Sequence, residues 1–183
     1  MRIIAGSYRG SVLADVGQGD AAAHLRPTSD RVRESLFSML THLNVIHGAR
    51  VLDLFAGTGV LGLEALSRGA EEATFVENGR VGQKLIVQNI EKVRAETKTK
   101  LLRSDATKLG SCGVTPFDLV FLDPPYGKKM GQQALAIARA GGWLAQGALI
   151  VWEENAPMNA PDGFSRTDRR KYGDTHVTFL TND

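Results

Sequence analysis

Residues 51–59 read VLDLFAGTG, an apolar strand that ends in an acid and runs into a loop with glycines at positions 57 and 59. In an open α/β sheet, ligands bind outside the carboxyl ends of the strands, and glycines there let backbone amides approach a ligand closely. From this stretch onward, short apolar runs alternate with helical patterns, which predicts a parallel sheet with helices on its faces. We therefore expect an α/β fold with a nucleotide-type site at the glycine loop.

Three patterns flank this alternation. Residues 1–13 predict a short hairpin, residues 28–43 an amphipathic helix, and residues 164–171 with 175–181 an antiparallel hairpin that finishes the sheet. No segment has the composition of an interdomain linker. We expect one domain over residues 1–183, with the amino-terminal hairpin and helix in residues 1–45 and a Rossmann-like core in residues 46–183.

The composition limits the possible functions. Lys and Arg number 22 against 20 Asp and Glu, so the net charge is +2 and any polyanion must meet a local basic patch rather than bulk charge. The single cysteine, Cys112, and four dispersed histidines indicate neither an internal disulfide nor a metal site. No signal peptide and no apolar run of about 18 residues is evident. We expect a cytoplasmic protein with no metal and no membrane partner.

The acid in the glycine loop indicates the charge of the ligand. Residues 57–62, GTGVLG, match the dinucleotide pattern G-x-G-x-x-G as written. However, Asp53 would repel a pyrophosphate, whereas the sulfonium and ammonium groups of S-adenosylmethionine would be attracted to it. Asp53, Phe55, Gly57 and Gly59 are therefore candidate cofactor-binding residues. A tight strand-to-helix turn without a ligand is the alternative.

Two further strand ends carry candidate cofactor residues. Glu77 follows the second strand, about twenty residues after the loop, where a carboxylate can accept both ribose hydroxyls of an adenosine ligand. Its neighbour Asn78 belongs to the same candidate site, although helix capping or plain solvation also explains polar residues there. Asp105 and Ala106, just past the third strand, stand where an acceptor for the adenine amino group belongs.

The run FDLVFL at residues 117–122 leads directly into Asp123, Pro124, Pro125 and Tyr126. Two consecutive prolines stiffen the backbone, so the Asp123 carboxylate and the Pro124 carbonyl become fixed acceptors at the strand tip. Such acceptors can grip an exocyclic amino group and take up its proton, and the tyrosine ring can stack on a planar base. These four residues are the candidate catalytic site for methylation of a planar amine.

Basic residues recur near both ends of the chain. The candidate contacts for the phosphates of a polyanion are Arg9, Arg26, Arg33, Arg169, Arg170 and Lys171, which would form a ring if both hairpins and the first helix surround the pocket mouth. Any single arginine can equally belong to a solvated face. Arg33 can pair along its own helix, and Arg26 with Thr28 can instead touch the carboxylate of the donor.

In their order along the chain, these motifs resemble class I S-adenosylmethionine-dependent amino-methyltransferases of the (N/D)-P-P-(Y/F) type. Four flanking blocks are more specific: RIIAGSYRG at residues 2–10, RPTSDRVRESLF at 26–37, LGLEALSRGA at 61–70 and RKYGDT at 170–175. They are similar to the bacterial small-subunit (16S) ribosomal RNA guanine-N2-methyltransferase family, and the similarity covers nearly the whole chain. The segment at residues 15–24 departs from the family pattern.

The resemblance implies a seven-stranded, mostly parallel sheet with an antiparallel last strand, S-adenosylmethionine as methyl donor and the N2 amine of a guanine in 16S rRNA as acceptor. The target base must be exposed or unstacked to reach the pocket. We expect a monomer that acts on rRNA within an assembling small subunit. A DNA adenine or cytosine amino-methyltransferase, a protein-glutamine methyltransferase and an inactive RNA-binding module remain alternatives, and the modified guanine is left open.

Overall fold

The computed structural model describes residues 1–16 and 29–183. The helices are α1 (Asp30–His42), α2 (Val60–Ser67), α3 (Arg80–Val93) and α4 (Met130–Ala140). The strands are β1 (Arg50–Leu54), β2 (Glu72–Val76), β3 (Thr99–Leu102), β4 (Phe117–Leu122), β5 (Leu144–Glu154), β6 (Phe164–Tyr172) and β7 (Thr175–Asn182). Each predicted core element is confirmed. The largest difference is the early start of β5, where half-buried Ala145 and exposed Gln146 and Gly147 interrupt the apolar pattern that marks the rest of the strand.

One seven-stranded sheet organises the described residues, in the order β3-β2-β1-β4-β5-β7-β6. The first five strands are parallel, and β7 runs antiparallel to both β5 and β6. The predicted, mostly parallel sheet with an antiparallel last strand is therefore confirmed. Because β7 is antiparallel to both of its neighbours, β5 and β6 run in the same direction. The carboxyl end of β6 therefore lies at the same edge of the sheet as the carboxyl ends of β1, β4 and β5.

The sheet separates two apolar cores. On one face, Phe37 of α1, Leu63 of α2 and Ile86 of α3 pack against the sheet. On the other face, Leu135 of α4 packs with the fully buried Trp152 of β5. Since both faces are covered, the strands are apolar in nearly continuous runs. The polar residues of the candidate site lie where the strands end.

The amino-terminal hairpin lies along α2. Its pairing is confirmed by the bridge of Arg2 with Val12, and the amide of Ile4 donates to Glu64 Oε2 at 2.8 Å. The amide of Tyr8 donates to the hydroxyl of Ser67 at 2.9 Å, at the carboxyl end of α2. The tip of the hairpin therefore lies at the end of α2 that is remote from the glycine loop.

Arg33 is buried and not available to RNA, so the expectation that it contacts phosphates is wrong. Its side chain has 0% exposure, and its guanidinium lies 3.0 Å from Asp30 Oδ1 and 4.0 Å from Glu64 Oε2. It also donates to the backbone carbonyl of Arg2. A buried guanidinium needs such partners because unpaired burial of a charge is strongly unfavourable. Arg33 therefore joins α1, α2 and the amino-terminal hairpin.

Across residues 1–16 and 29–183, no helix is long and apolar enough to cross a membrane. Within the same residues, no group of three or more His, Cys, Asp or Glu side chains could hold a metal ion.

Candidate active site

The glycine loop between β1 and α2 contains three residues in the left-handed backbone region. Phe55 has φ +61°, Gly57 has φ +57° and Gly59 has φ +76°. Glycine adopts these angles without strain, whereas a residue with a side chain pays roughly 1–3 kcal/mol there. A tight loop with a strained non-glycine residue is typical of a functional site rather than of a plain connection.

Asp53 lies beneath this loop with only 1% exposure. Its Oδ2 accepts a hydrogen bond from the amide of Gly62 at 3.1 Å. Burial raises the pKa of the Asp53 carboxyl to about 8; the Gly62 amide opposes this shift, and the charge of Glu77 adds to it. A cation held nearby would favour the ionised form of this carboxyl and lower its pKa. The role of Asp53 toward the positive charges of S-adenosylmethionine stays a prediction.

Glu77 closes the loop from the end of β2. Its Oε2 accepts from the amide of Gly57 at 2.8 Å, and its Oε1 accepts from the amide of Gly79 at 2.6 Å. Each carboxylate oxygen can accept more than one hydrogen bond, so both can still take ribose hydroxyls while they hold the loop. The hydrogen bonds to Gly57 and Gly79 therefore fix the Glu77 carboxylate at the glycine loop.

Gly82 is a site residue that the sequence analysis missed. A Cβ at this position would lie 2.8 Å from Cγ of Glu77 and 2.9 Å from the carbonyl oxygen of Gly57. The first turn of α3 can approach the loop only because residue 82 has no side chain. A glycine inside an otherwise regular helical pattern is the signal that could have found it.

The remaining candidate cofactor residues lie at the same edge of the sheet. Asp105 begins a short 3₁₀ turn, where its Oδ1 accepts from the amide and the hydroxyl of Thr107 at 2.8 and 2.7 Å. The Thr107 hydroxyl bond is the main reason that the pKa of Asp105 lies below its usual value. Asp105 is half-buried, Ala106 is buried and Asn78 is exposed.

The tetrapeptide at residues 123–126 directly follows β4. Because Leu122 is the register partner of Leu54, Asp123 comes next to the start of the glycine loop on the neighbouring strand. Pro124 is buried, and Asp123, Pro125 and Tyr126 are half-buried. Burial raises the pKa of Asp123 well above its ordinary value, and the charges of Glu153, Asp53 and Glu154 add to the effect.

Glu153 and Glu154 are acids at the end of β5 that the sequence analysis did not single out. They are 7% and 4% exposed. Glu153 Oε1 accepts from the hydroxyl of Tyr126 at 2.9 Å, and Glu154 Oε1 accepts from the amide of Gly127 at 3.4 Å. The signal available in the sequence was a pair of acids that continues an apolar strand.

The structure separates the candidate RNA contacts. Arg169, Arg170 and Lys171 are exposed on the carboxyl half of β6, which ends at the same edge of the sheet as β4 and β5. Arg9 lies on the hairpin tip, beside the far end of α2, so the expectation that it lies at the pocket mouth is wrong. Arg26 and Thr28 lie outside the described residues.

The sheet order, the glycine loop with Asp53 and Glu77, and the Asp-Pro-Pro-Tyr turn together define a class I, Rossmann-like methyltransferase that uses S-adenosylmethionine. The comparisons with known proteins agree with this class. The model of the family described as Conserved hypothetical protein 95 matches residues 1–181. The chain belongs to this family.

Two curated relatives are ribosomal RNA small subunit methyltransferases D. The Escherichia coli protein is 38% identical over 88% of this chain and 78% of its own length. The Haemophilus influenzae protein is 35% identical over 94% of this chain and 89% of its own length. A solved Escherichia coli structure, described as a methyltransferase candidate, superimposes with a TM-score of 0.83 at 34% identity, covering 100% of this chain and 98% of the other.

Proposed function

We propose that this enzyme transfers a methyl group from S-adenosylmethionine to the N2 amine of a guanine in 16S rRNA. The observation that carries the proposal is the adjacency of two strand ends, the glycine loop after β1 and Asp123 after β4. Paired strands lie about 4.8 Å apart, so a donor on the loop and an amine on Asp123 would be neighbours. The family membership and the small-subunit rRNA methyltransferases among the relatives support RNA as the substrate.

On the donor side, Gly57 and Gly59 would lie against the methionine part, with Phe55 and Asp53 in the same loop. Glu77 would hold the ribose beside Asn78, and Asp105 with Ala106 would meet the adenine. When bound, S-adenosylmethionine supplies the electrophilic methyl carbon on its sulfonium. The positive charge of the donor favours the ionised form of the buried acids nearby, so it prepares Asp123 to act as an acceptor.

On the acceptor side, the Asp123 carboxylate and the Pro124 carbonyl would accept the two N–H groups of the target amine. This arrangement aims the nitrogen lone pair at the methyl carbon. As the N–C bond forms and the C–S bond breaks, the amine gains positive charge and loses one proton to Asp123. Pro125 stiffens the turn and Tyr126 stacks on the base, which must first leave its helical stack.

For the RNA backbone, we propose that Arg169, Arg170 and Lys171 contact phosphates beside the target guanine. Arg170 pairs with Asp168 at 2.8 Å, but the two side chains are 53% and 42% exposed, and such a pair exchanges readily for a phosphate. We place the reaction in the cytoplasm, on rRNA of an assembling small subunit, and propose a monomer in which residues 1–183 form a single domain.

A methyl-transfer assay with labelled S-adenosylmethionine tests the proposal. The acceptors are unmethylated small ribosomal subunits, protein-free 16S rRNA, duplex DNA and a protein extract, and nucleoside analysis identifies the product. We expect label in N2-methylguanosine of rRNA, absent with Asp123→Ala although that variant still binds the donor. Label in DNA or protein would show that rRNA is not the substrate. Donor binding without any transfer would favour an inactive RNA-binding module.

A further inference from the structure

Glu153 is a buried acid beside the candidate catalytic turn, and the proposed mechanism gives it no role. It is the penultimate residue of β5, and its Oε1 accepts the hydrogen bond from the Tyr126 hydroxyl at 2.9 Å. Since Leu122 is the register partner of Trp152, the next residues along the two strands are Asp123 and Glu153. Side chains at paired positions project to the same face of a sheet, so the two acids are neighbours above it.

Packing alone does not favour a carboxylate at this position. Glu153 is 7% exposed, and its charge is one of the reasons that the pKa of neighbouring Asp123 is raised. Like charges at close range oppose ionisation, and a buried carboxylate loses its hydration. An uncharged residue would avoid both effects. A buried carboxylate among other acids, hydrogen-bonded to the hydroxyl of a candidate stacking ring, is a candidate for a role in the reaction.

We infer that Glu153 is a positioning residue for methyl transfer: by accepting from the Tyr126 hydroxyl, it fixes the ring against which the target base stacks. The inference rests on the proposed function. A tyrosine ring without a partner for its hydroxyl can rotate about its side-chain torsions. Glu153 of β5 holds the hydroxyl, which also meets the side chain of Thr175 on β7, and two prolines hold the backbone. These contacts restrict the orientation of the ring and so align the base over the acceptors of Asp123 and Pro124.

A second effect follows from the charge of Glu153. The ionisable groups that surround Asp123 are Asp53 from β1, Glu153 and Glu154 from β5, and the phenol of Tyr126. Removing the negative charge at position 153 lowers the pKa of Asp123, because one repelling charge is lost. If activity requires ionised Asp123, the acid limb of the pH–activity profile should move to lower pH in Glu153→Gln. An unchanged acid limb would show that the charge of Glu153 does not act on Asp123.

The kinetic test compares Glu153→Ala, Glu153→Gln and Tyr126→Phe with Glu71→Gln, an exposed acid that precedes β2 at the opposite edge of the sheet. We expect Glu153→Ala to lower kcat/KM for rRNA by about tenfold or more, the usual effect of losing a charge-assisted hydrogen bond, and to leave the donor Kd within about twofold. Glu153→Gln keeps an acceptor oxygen and should restore most of the rate, with the shifted acid limb. Glu71→Gln should match the wild type.

A double variant tests whether the two residues act together. If Glu153 acts through Tyr126, Tyr126→Phe combined with Glu153→Ala should lose little more than either change alone. Wild-type kcat/KM in Glu153→Ala, or losses that multiply in the double variant, would overturn the inference.

A spectroscopic readout keeps the inference separate from the substrate assignment. Burial and the charge of Glu153 raise the pKa of Tyr126. In protein labelled with 3-fluorotyrosine, the ¹⁹F resonance of Tyr126 should therefore titrate at lower pH in Glu153→Gln, while Tyr8 and Tyr172 serve as internal controls. An unchanged Tyr126 titration would overturn the inference. Absence of rRNA methylation by the wild type would instead overturn the proposed function, and the titration would still decide whether Glu153 acts on the Tyr126 hydroxyl.

Discussion

Adding one methyl group at Gly82 should weaken donor binding more than it destabilises the fold. The new Cβ of Gly82→Ala would lie 2.8 Å from Cγ and 2.9 Å from Cδ of Glu77, and 2.9 Å from the carbonyl oxygen of Gly57. These distances are shorter than van der Waals contact. The Glu77 side chain must move, and its hydrogen bonds to the amides of Gly57 and Gly79 move with it.

The magnitude follows from two opposing effects on stability and one effect on binding. Alanine is better than glycine inside a helix by about 1 kcal/mol, whereas overpacking costs about 1–3 kcal/mol. The free energy of unfolding should therefore fall by no more than about 2 kcal/mol. In the proposed site, a misplaced Glu77 would lose a charge-assisted hydrogen bond to the ribose worth about 1.5–3 kcal/mol, which would raise the donor Kd by roughly ten- to hundredfold.

Isothermal titration with S-adenosylmethionine and urea denaturation measure the two quantities on the same preparations. Gly113→Ala is the matched control, because a Cβ at that position meets nothing within 4 Å. It should bind the donor as the wild type does. If Gly82→Ala retained wild-type affinity while remaining folded, then Glu77 would not be the ribose acceptor that we propose.

Three further predictions concern the buried charges and the RNA surface. Arg33→Ala should lower the free energy of unfolding, measured by urea denaturation, by about 3 kcal/mol, because buried Glu64 loses one of its partners. An unchanged free energy of unfolding would contradict the role of Arg33 in joining α1, α2 and the amino-terminal hairpin. Asp53 binds its proton more tightly in the folded state, with a pKa of about 8, so its contribution to stability is present at low pH and is lost as pH rises towards 8. Without ligand, the free energy of unfolding of Asp53→Asn should therefore increase relative to that of the wild type as pH rises from 4 to 8. A difference in the free energy of unfolding that does not change with pH would refute the raised pKa of Asp53. Reversing Arg169 and Arg170 to Glu should weaken rRNA binding and reduce its salt dependence, whereas an unchanged salt slope would place the RNA surface elsewhere.

The sequence was sufficient to predict the sheet and the strand ends at which the candidate site lies. Continuous apolar runs mark strands that are buried on both faces, as in β1 and β4. The chemistry then lies at the carboxyl ends of those strands, because the interior admits few unpaired polar groups. Asp53, Glu77 and Asp123 were found in this way, and the structure brings all three to one edge.

Features that depend on packing across the chain were not found in this way. Arg33 shares the buried face of α1 with Phe37 and Leu40, at a helical spacing that the sequence already contains. Its charge nevertheless favoured a surface position, because the distant partner Glu64 is not visible in the local pattern. Gly82 is another such case, since only the close approach of α3 to the glycine loop explains it.

Glu153 was missed for a similar reason. The residue whose hydroxyl it accepts, Tyr126, lies 27 positions earlier in the chain and on another element. Only the pairing of β4 with β5 brings the two together. Local pattern therefore identified the groups proposed to touch the donor and the target base, whereas the residues that position those groups required the three-dimensional arrangement.

The most direct test of the central claim is nucleoside analysis of 16S rRNA after incubation of unmethylated small subunits with the enzyme and labelled S-adenosylmethionine. The account predicts label in N2-methylguanosine, and no label when Asp123→Ala replaces the wild type. Label in any other nucleoside, or undiminished N2-methylguanosine with Asp123→Ala, would contradict it.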